Sequence, residues 1–155
     1  MSLFDIGSGA AAQEAAPGRL PIAYVVDDDD ALRFALRLEL STSGYRCQAF
    51  ASASELLSRA DQLEPGCIIL DIRMPGKNGI ELLAELAQRG IHWPTIMVTG
   101  HAEAVSAADA TRLGAAHFLE KPFSGEALLS AIAQETGKLG TGLRRAEHAS
   151  RLPQA

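Results

Sequence analysis

Hydrophobic positions along the chain alternate between two patterns, a short apolar run and a longer segment with helical spacing. Ile22 to Val26 is a β-branched run that ends in acids, the pattern of a buried strand. Ala31, Phe34, Ala35 and Leu38 then recur at i, i+3, i+4 and i+7, which predicts an amphipathic helix on that stripe, and Gly44 supplies its stop. Arg46 to Phe50 alternates as a second strand. Ser52 with Glu55 three residues later predicts a capping box that opens a short helix through Ala60. Cys67 to Leu70 is an apolar strand ending on Asp71, and Gly79 to Gln88 is helical up to a stop at Gly90. Thr95 to Thr99 reads as a fourth strand, Glu103 to Leu113 as an Ala-rich helix, Ala115 to Leu119 as a fifth strand and Ser124 to Thr136 as a last helix. Five strand–helix units in succession predict an α/β fold with a parallel sheet covered on both faces.

The two ends depart from this alternation. Residues 1–20 contain the small, low-complexity stretch Gly7 to Gly18, closed by Pro17-Gly18, and read as a flexible arm. Gly7, Gly9 and Ala12 there imitate a dinucleotide-binding pattern, with Asp27 at the expected distance, but that pattern has meaning only between a strand and a helix. Residues 137–155 carry Lys138, Arg144, Arg145 and Arg151 against only Glu147, and the interruptions Gly140, Gly142 and Pro153 predict a flexible basic tail. The structured part is therefore expected over residues 21–136.

Composition narrows the function. A 155-residue chain that is 47% hydrophobic with a net charge of -5 has the makings of one globular domain and excludes wholesale disorder. No apolar run approaches the ~20 residues that span a bilayer. Met1 to Ile6 lacks the cationic and apolar regions of a secretory signal, and two cysteines, Cys47 and Cys67, are too few for a disulfide scaffold. A cytoplasmic protein without a membrane partner is expected. The acidic balance gives no electrostatic footprint for specific nucleic-acid binding.

In a doubly wound sheet, function gathers at the carboxyl ends of the strands, near the point where the strand order reverses. The first strand ends in Asp27-Asp28-Asp29-Asp30, the third in Asp71 and the fourth in Thr99-Gly100, while Lys121-Pro122 follows the fifth. Two ionised carboxylates ~5 Å apart repel by about 3 kcal/mol at an effective dielectric of about 20. A divalent cation removes that conflict, and a few hard oxygen ligands suit Mg²⁺. An EF-hand is disfavoured, because Arg33 and Leu38 stand at its glycine and glutamate positions; zinc lacks ligands, since the histidines and cysteines have no zinc-motif spacing. Asp29 and Asp30 read as a turn and helix cap. Asp27 and Asp28, at the strand end itself, read as functional.

Val25-Val26-Asp27-Asp28, Leu70 to Gly76, Val98-Thr99-Gly100 and Lys121-Pro122-Phe123, each after its own strand, resemble the receiver domain of two-component response regulators over about residues 20–136. The stretches Pro94 to His101 and Glu120 to Phe123 look most like the receivers of nitrogen-fixation-type (FixJ-like) transcription regulators. The resemblance implies a flavodoxin-like (CheY-like) sheet of order 2-1-3-4-5. It implies Asp71 as the nucleophile that takes a phosphoryl group from a phosphohistidine of a sensor histidine kinase or phosphotransfer protein. Asp28 and Asp71 would hold Mg²⁺ directly, Asp27 mainly through water and Arg73 through its backbone carbonyl. Lys121 and Thr99 would pair with phosphoryl oxygens, Gly100 would leave its N–H open to the phosphate, and Pro122 would follow a cis peptide bond. Phe118 stands where the family carries an aromatic switch, although core packing accounts for it better. Arg73 and His101 stand where they could tune water attack on the acyl phosphate.

Two rivals are weighed against the receiver. Haloacid-dehalogenase-type phosphatases also use a strand-end aspartate with Mg²⁺, but they need an acid two residues later, where this chain has Arg73. The expectation is thus a signalling domain and not an enzyme acting on external substrates. A DNA-binding regulator needs an output domain of about 60 further residues. The reading is a stand-alone receiver that signals by protein contact, with a homodimer through the fourth helix, fifth strand and last helix as one option (Val105, Ala108, Arg112, His117, Leu128). The alternative is a receiver fragment of a longer DNA-binding transcription regulator.

Overall fold

Along the strand Ile22–Val26 (β1), successive side chains leave on opposite faces of the sheet, and both faces are covered. Ile22, Tyr24 and Val26 join one core with Ile68, Leu70 and Met97; Ala23 and Val25 join the other with Cys67, Ile69, Ile96 and Val98. This is why the central strands read as unbroken apolar runs. The computed structural model describes residues 22–100, 107–112 and 114–149. Arg46–Phe50 (β2), Gly66–Asp71 (β3), Thr95–Thr99 (β4) and His117–Glu120 (β5) complete one parallel sheet of order β2-β1-β3-β4-β5. The helices are Asp30–Thr42 (α1), Ala53–Arg59 (α2, followed by a 3-10 turn at Ala60–Gln62), Gly79–Gln88 (α3), Ala107–Arg112 (α4) and Gly125–Ala149 (α5). Leu56, Leu57, Leu82, Leu83 and Leu86 of α2 and α3 cover the first face; Leu36 and Leu40 of α1 with Leu128 and Ile132 of α5 cover the second. Among the described residues no helix is long and apolar enough to cross a membrane.

Three local expectations need correction. In α1 the stripe of Ala31, Phe34, Ala35 and Leu38 does not face the core: Phe34 is 70% and Leu38 56% exposed, whereas Leu36 and Leu40 are buried and Leu32 packs beside them. Two stripes overlap in this helix. The row of three leucines buries more apolar area than a row with two alanines, so it wins the core. In α2, Ser52 accepts the Glu55 N–H at 3.2 Å, but Glu55 Oε1 accepts from Ala51 and not from Ser52. The complete reciprocal box belongs to Asn78 and Glu81 at the start of α3, with both bonds at 2.8 Å. Finally, α5 runs on from Thr136 to Ala149. A glycine inside a helix costs about 1 kcal/mol relative to alanine, so Gly137, Gly140 and Gly142 weaken this helix without ending it. The amino-terminal arm, His101, Val105, Leu113 and residues 150–155 lie outside the described residues.

Trp93, just before β4, stacks on Tyr24 with ring centroids 5.5 Å apart. Cys47 and Cys67 stand opposite Ala23 from its two sides and both are free thiols; burial pushes the Cys67 thiol up to about 12.

Candidate functional site

Strand register decides which residues meet. Val26 of β1 lies level with Leu70 of β3, Asp71 with Val98 of β4, and Thr99 with Glu120 of β5. Four strands therefore deliver residues at or just past their ends to the same edge of the sheet: Asp27 and Asp28 after β1, Asp71 on β3, Thr99 and Gly100 at β4, Lys121 after β5. The order reverses between β1 and β3, so the loops after these strands diverge and leave the crevice in which Asp27, Asp28 and Asp71 stand.

Asp27, Asp28 and Asp71 each present a carboxylate oxygen within 4.8 Å of the others. Asp27 and Asp71 are buried, at 1% and 4% exposure, while Asp28 faces solvent. Nearly every polar atom of Asp27 is engaged. Its N–H donates to Phe50, its Oδ1 accepts the Asp29 N–H at 2.9 Å, its Oδ2 accepts Lys121 Nζ at 3.0 Å, and its carbonyl accepts Arg33 Nη1 at 2.7 Å. The Asp29 side chain caps α1, accepting the N–H groups of Ala31 and Leu32. Asp30 pairs with Arg33.

Asp71 sits in the conflict foreseen for clustered carboxylates. Burial, and then the charge of Asp27, raise its pKa to about 6, against the pull of Lys121 and of the Arg73 N–H, which donates to Oδ1 at 3.3 Å. Lys121 Nζ lies 3.5 Å from Asp71 Oδ2 as well as beside Asp27. Burial pulls the ammonium down, but its bond to Asp27 and the two negative charges override this and hold Lys121 above its ordinary value. The lysine's backbone is fixed by its N–H bond to the Thr99 carbonyl at 2.7 Å, and the Lys121–Pro122 peptide is cis.

Thr99 is 1% exposed at the end of β4. A Cβ at Gly100 would meet nothing within 4 Å among the described residues. Arg73 is exposed, two residues beyond Asp71. Phe118 is half-buried and packs against the core face of α2 and α3. Beside the acids, a groove of about 520 Å³ runs between α1 and the segment after β5, lined by Leu32, Ala35, Leu36, Lys121, Pro122 and Phe123 among others.

Two further positions at this edge carry no motif that marks their role. Gly79 opens α3 so close to the site that a Cβ there would stand 2.5 Å from the Asp71 carbonyl oxygen, and its N–H donates to Ile72. Any side chain would push the Asp71 backbone out of place. Arg33 reaches back from α1 to the strand end that carries the acids. Pro75-Gly76 in the same loop marks a turn but says nothing of these approaches.

The donor set suits a small hard dication. All three side chains offer oxygen, one is exposed for exchange with water, and the internal cation Lys121 compensates only Asp27 and Asp71.

Residues 23–133 match the family described as response regulator receiver domain. Over 122 residues, 79% of this chain and 57% of the relative, the sequence is 44% identical to the transcriptional regulatory protein FixJ of Azorhizobium caulinodans. Of solved structures, the response regulator StyR superposes with a TM-score of 0.76 at 36% identity, covering 85% of this chain and 66% of StyR. FixJ-N superposes at 0.71 and 32% identity, covering 76% of this chain and 94% of that one. The chain spans about half to three-fifths of the length of the curated relatives it matches.

Proposed function

This chain belongs to the response regulator receiver domain family, a family of signalling domains, and from that premise we propose that Asp71 is its phosphoryl acceptor. The observation that carries the reading is the placing of Asp71 at the end of β3, with Lys121 on one side and Asp27 and Asp28 on the other. The donor is a phosphohistidine of a sensor histidine kinase or a phosphotransfer protein. An Asp71 carboxylate oxygen forms a bond to phosphorus while the phosphorus–nitrogen bond breaks, and the departing imidazole takes up a proton from solvent. The product is an aspartyl phosphate, and the reaction modifies the protein itself.

The residues divide the work by geometry. Asp28 and Asp71 would bind Mg²⁺ directly, Asp27 through water and Arg73 by its carbonyl; the bound ion supplies positive charge for the phosphoryl oxygens. Each Asp27 carboxylate oxygen already accepts one hydrogen bond, from the Asp29 N–H or from Lys121, which suits an outer role. Lys121 transfers part of its attention from Asp71 to a phosphoryl oxygen, and Thr99 and the Gly100 N–H receive the others. When Thr99 turns toward the phosphate it vacates space beside β5, and Phe118 moves inward, shifting a pre-existing equilibrium at the surface of α4, β5 and α5. That surface passes the signal on by protein contact, including contact with a second copy of the chain.

The relatives' names favour a second reading of output. FixJ of Azorhizobium caulinodans is called a transcriptional regulatory protein and is longer than the matched region, so the expectation of no specific nucleic-acid partner has no support from it. In this reading the receiver governs a DNA-binding segment of a longer regulator.

Phosphoramidate, a small donor with the same phosphorus–nitrogen bond, tests the acceptor role. With Mg²⁺ it should add one phosphoryl group to the intact protein, and chelation should prevent it. Equal labelling with and without Mg²⁺ would contradict the proposal.

A further inference from the structure

Arg33 is badly placed by the ordinary rules of helix electrostatics. It sits at the first turn of α1, where the helix dipole favours anions, yet its side chain is only 19% exposed. It does not lie out in solvent. Nη1 donates to the Asp27 carbonyl at 2.7 Å, Nη2 pairs with Asp30, and its own N–H donates to the Asp29 carbonyl at 2.9 Å. One residue thus touches three of the four successive acids, at their backbone or side chain, and skips Asp28.

The carbonyl contact matters most. The peptide that begins at the Asp27 carbonyl ends at the Asp28 nitrogen, so fixing that oxygen fixes the plane of the Asp27–Asp28 peptide. Beyond this peptide Asp28 emerges exposed, while Asp27 before it is pinned by Phe50, Asp29 and Lys121. The guanidinium is the element that carries this rigidity one residue further. A planar fork with several donors can hold a carbonyl and a carboxylate together, which a single ammonium does less well.

We propose that Arg33 is a positioning residue for metal binding: by holding the Asp27 carbonyl it aims the Asp28 carboxylate at Asp71. The inference rests on the reading of Asp28 and Asp71 as direct Mg²⁺ ligands. It is separable from a plain charge effect by sign. Arg33 is a cation near three carboxylates, so if it acted only through its charge, removing it would tighten Mg²⁺ binding.

The test is the Mg²⁺ dissociation constant of the full chain, measured by calorimetry and by backbone amide shifts at Asp28, alongside the melting temperature. Arg33→Met should weaken Mg²⁺ binding about tenfold, the loss typical when a partner that orients a metal ligand is removed. Arg33→Lys should fall between the two, and Asp30→Ala, which leaves the carbonyl contact intact, should stay within about twofold of the parent. Unchanged or tighter binding in Arg33→Met would overturn the proposal. Should that variant fail to fold, Arg33→Lys decides: weaker binding supports the role and equal binding overturns it. A parent protein that does not bind Mg²⁺ would instead overturn the reading of the acids as ligands.

Discussion

Asp71 holds a proton more tightly than an isolated carboxylate because folding both buries it and places Asp27 beside it. With its value raised to about 6, the folded state keeps a proton over a range in which the unfolded chain has lost it. The stability this proton contributes is fully present below the ordinary carboxylate value and disappears as pH rises through about 6. A dication competes for the same oxygens, so Mg²⁺ binding should release protons and weaken in acid. Titrations should show binding about tenfold weaker at about pH 5 than at about pH 8. A flat profile would contradict the placing of Mg²⁺ on Asp71. At Thr99 the expected effect is on response and not on acceptance. Thr99→Ala should still take a phosphoryl group, because nucleophile and lysine are intact, but the NMR shifts around Phe118 on phosphorylation should shrink. Shifts equal to the parent's would sever the route from Thr99 to Phe118.

At the scale of elements, burial separates two rows of the same helix. Leu40→Ala in α1 removes a wholly buried side chain and should destabilise the protein by about 2–5 kcal/mol. Phe34→Ser, on the exposed row, should cost no more than about 0.5 kcal/mol. Comparable losses in chemical denaturation would mean that α1 is rotated from its observed setting. This helix also marks the limit of what its sequence discloses. Phe34 and Leu38 satisfy helical periodicity as well as Leu32, Leu36 and Leu40 do, and only the sheet selects between them. The order of elements, by contrast, is plain in the chain, because β1, β3 and β4 are buried on both faces and need unbroken apolar runs. Asp27, Asp28, Asp71 and Thr99 are legible for a related reason, since they stand where such runs end, whereas Lys121 follows the partly buried β5 and is legible through the motif Lys121-Pro122-Phe123. Arg33 and Gly79 are not, since they act on backbone atoms of nearby residues, Asp27 and Asp71, at spacings that no helix or turn pattern marks.

At the scale of the molecule, the sheet converts sequence separation into proximity. Lys121 and Asp27 are 94 residues apart in the chain and 3.0 Å apart in space. Every strand contributes its end to one edge, so the site depends on the whole register and not on one loop. A chain with net charge -5 gathers three of its carboxylates there against the two cations Lys121 and Arg33, leaving a surplus of negative charge for a dication to offset. The kinship with receivers, the α/β order and the strand-end acids then converge on one chemical claim, that Asp71 is where the phosphoryl group arrives. The most direct check is to expose the parent and Asp71→Asn to acetyl phosphate with Mg²⁺, then reduce with borohydride and map the modified residue by peptide mass spectrometry. The parent should gain one phosphoryl group, with the reduced product at position 71 alone, and Asp71→Asn should gain none, because an amide is a poor nucleophile. Equal labelling of Asp71→Asn, or a reduced product at Asp27 or Asp28 in the parent, would contradict it.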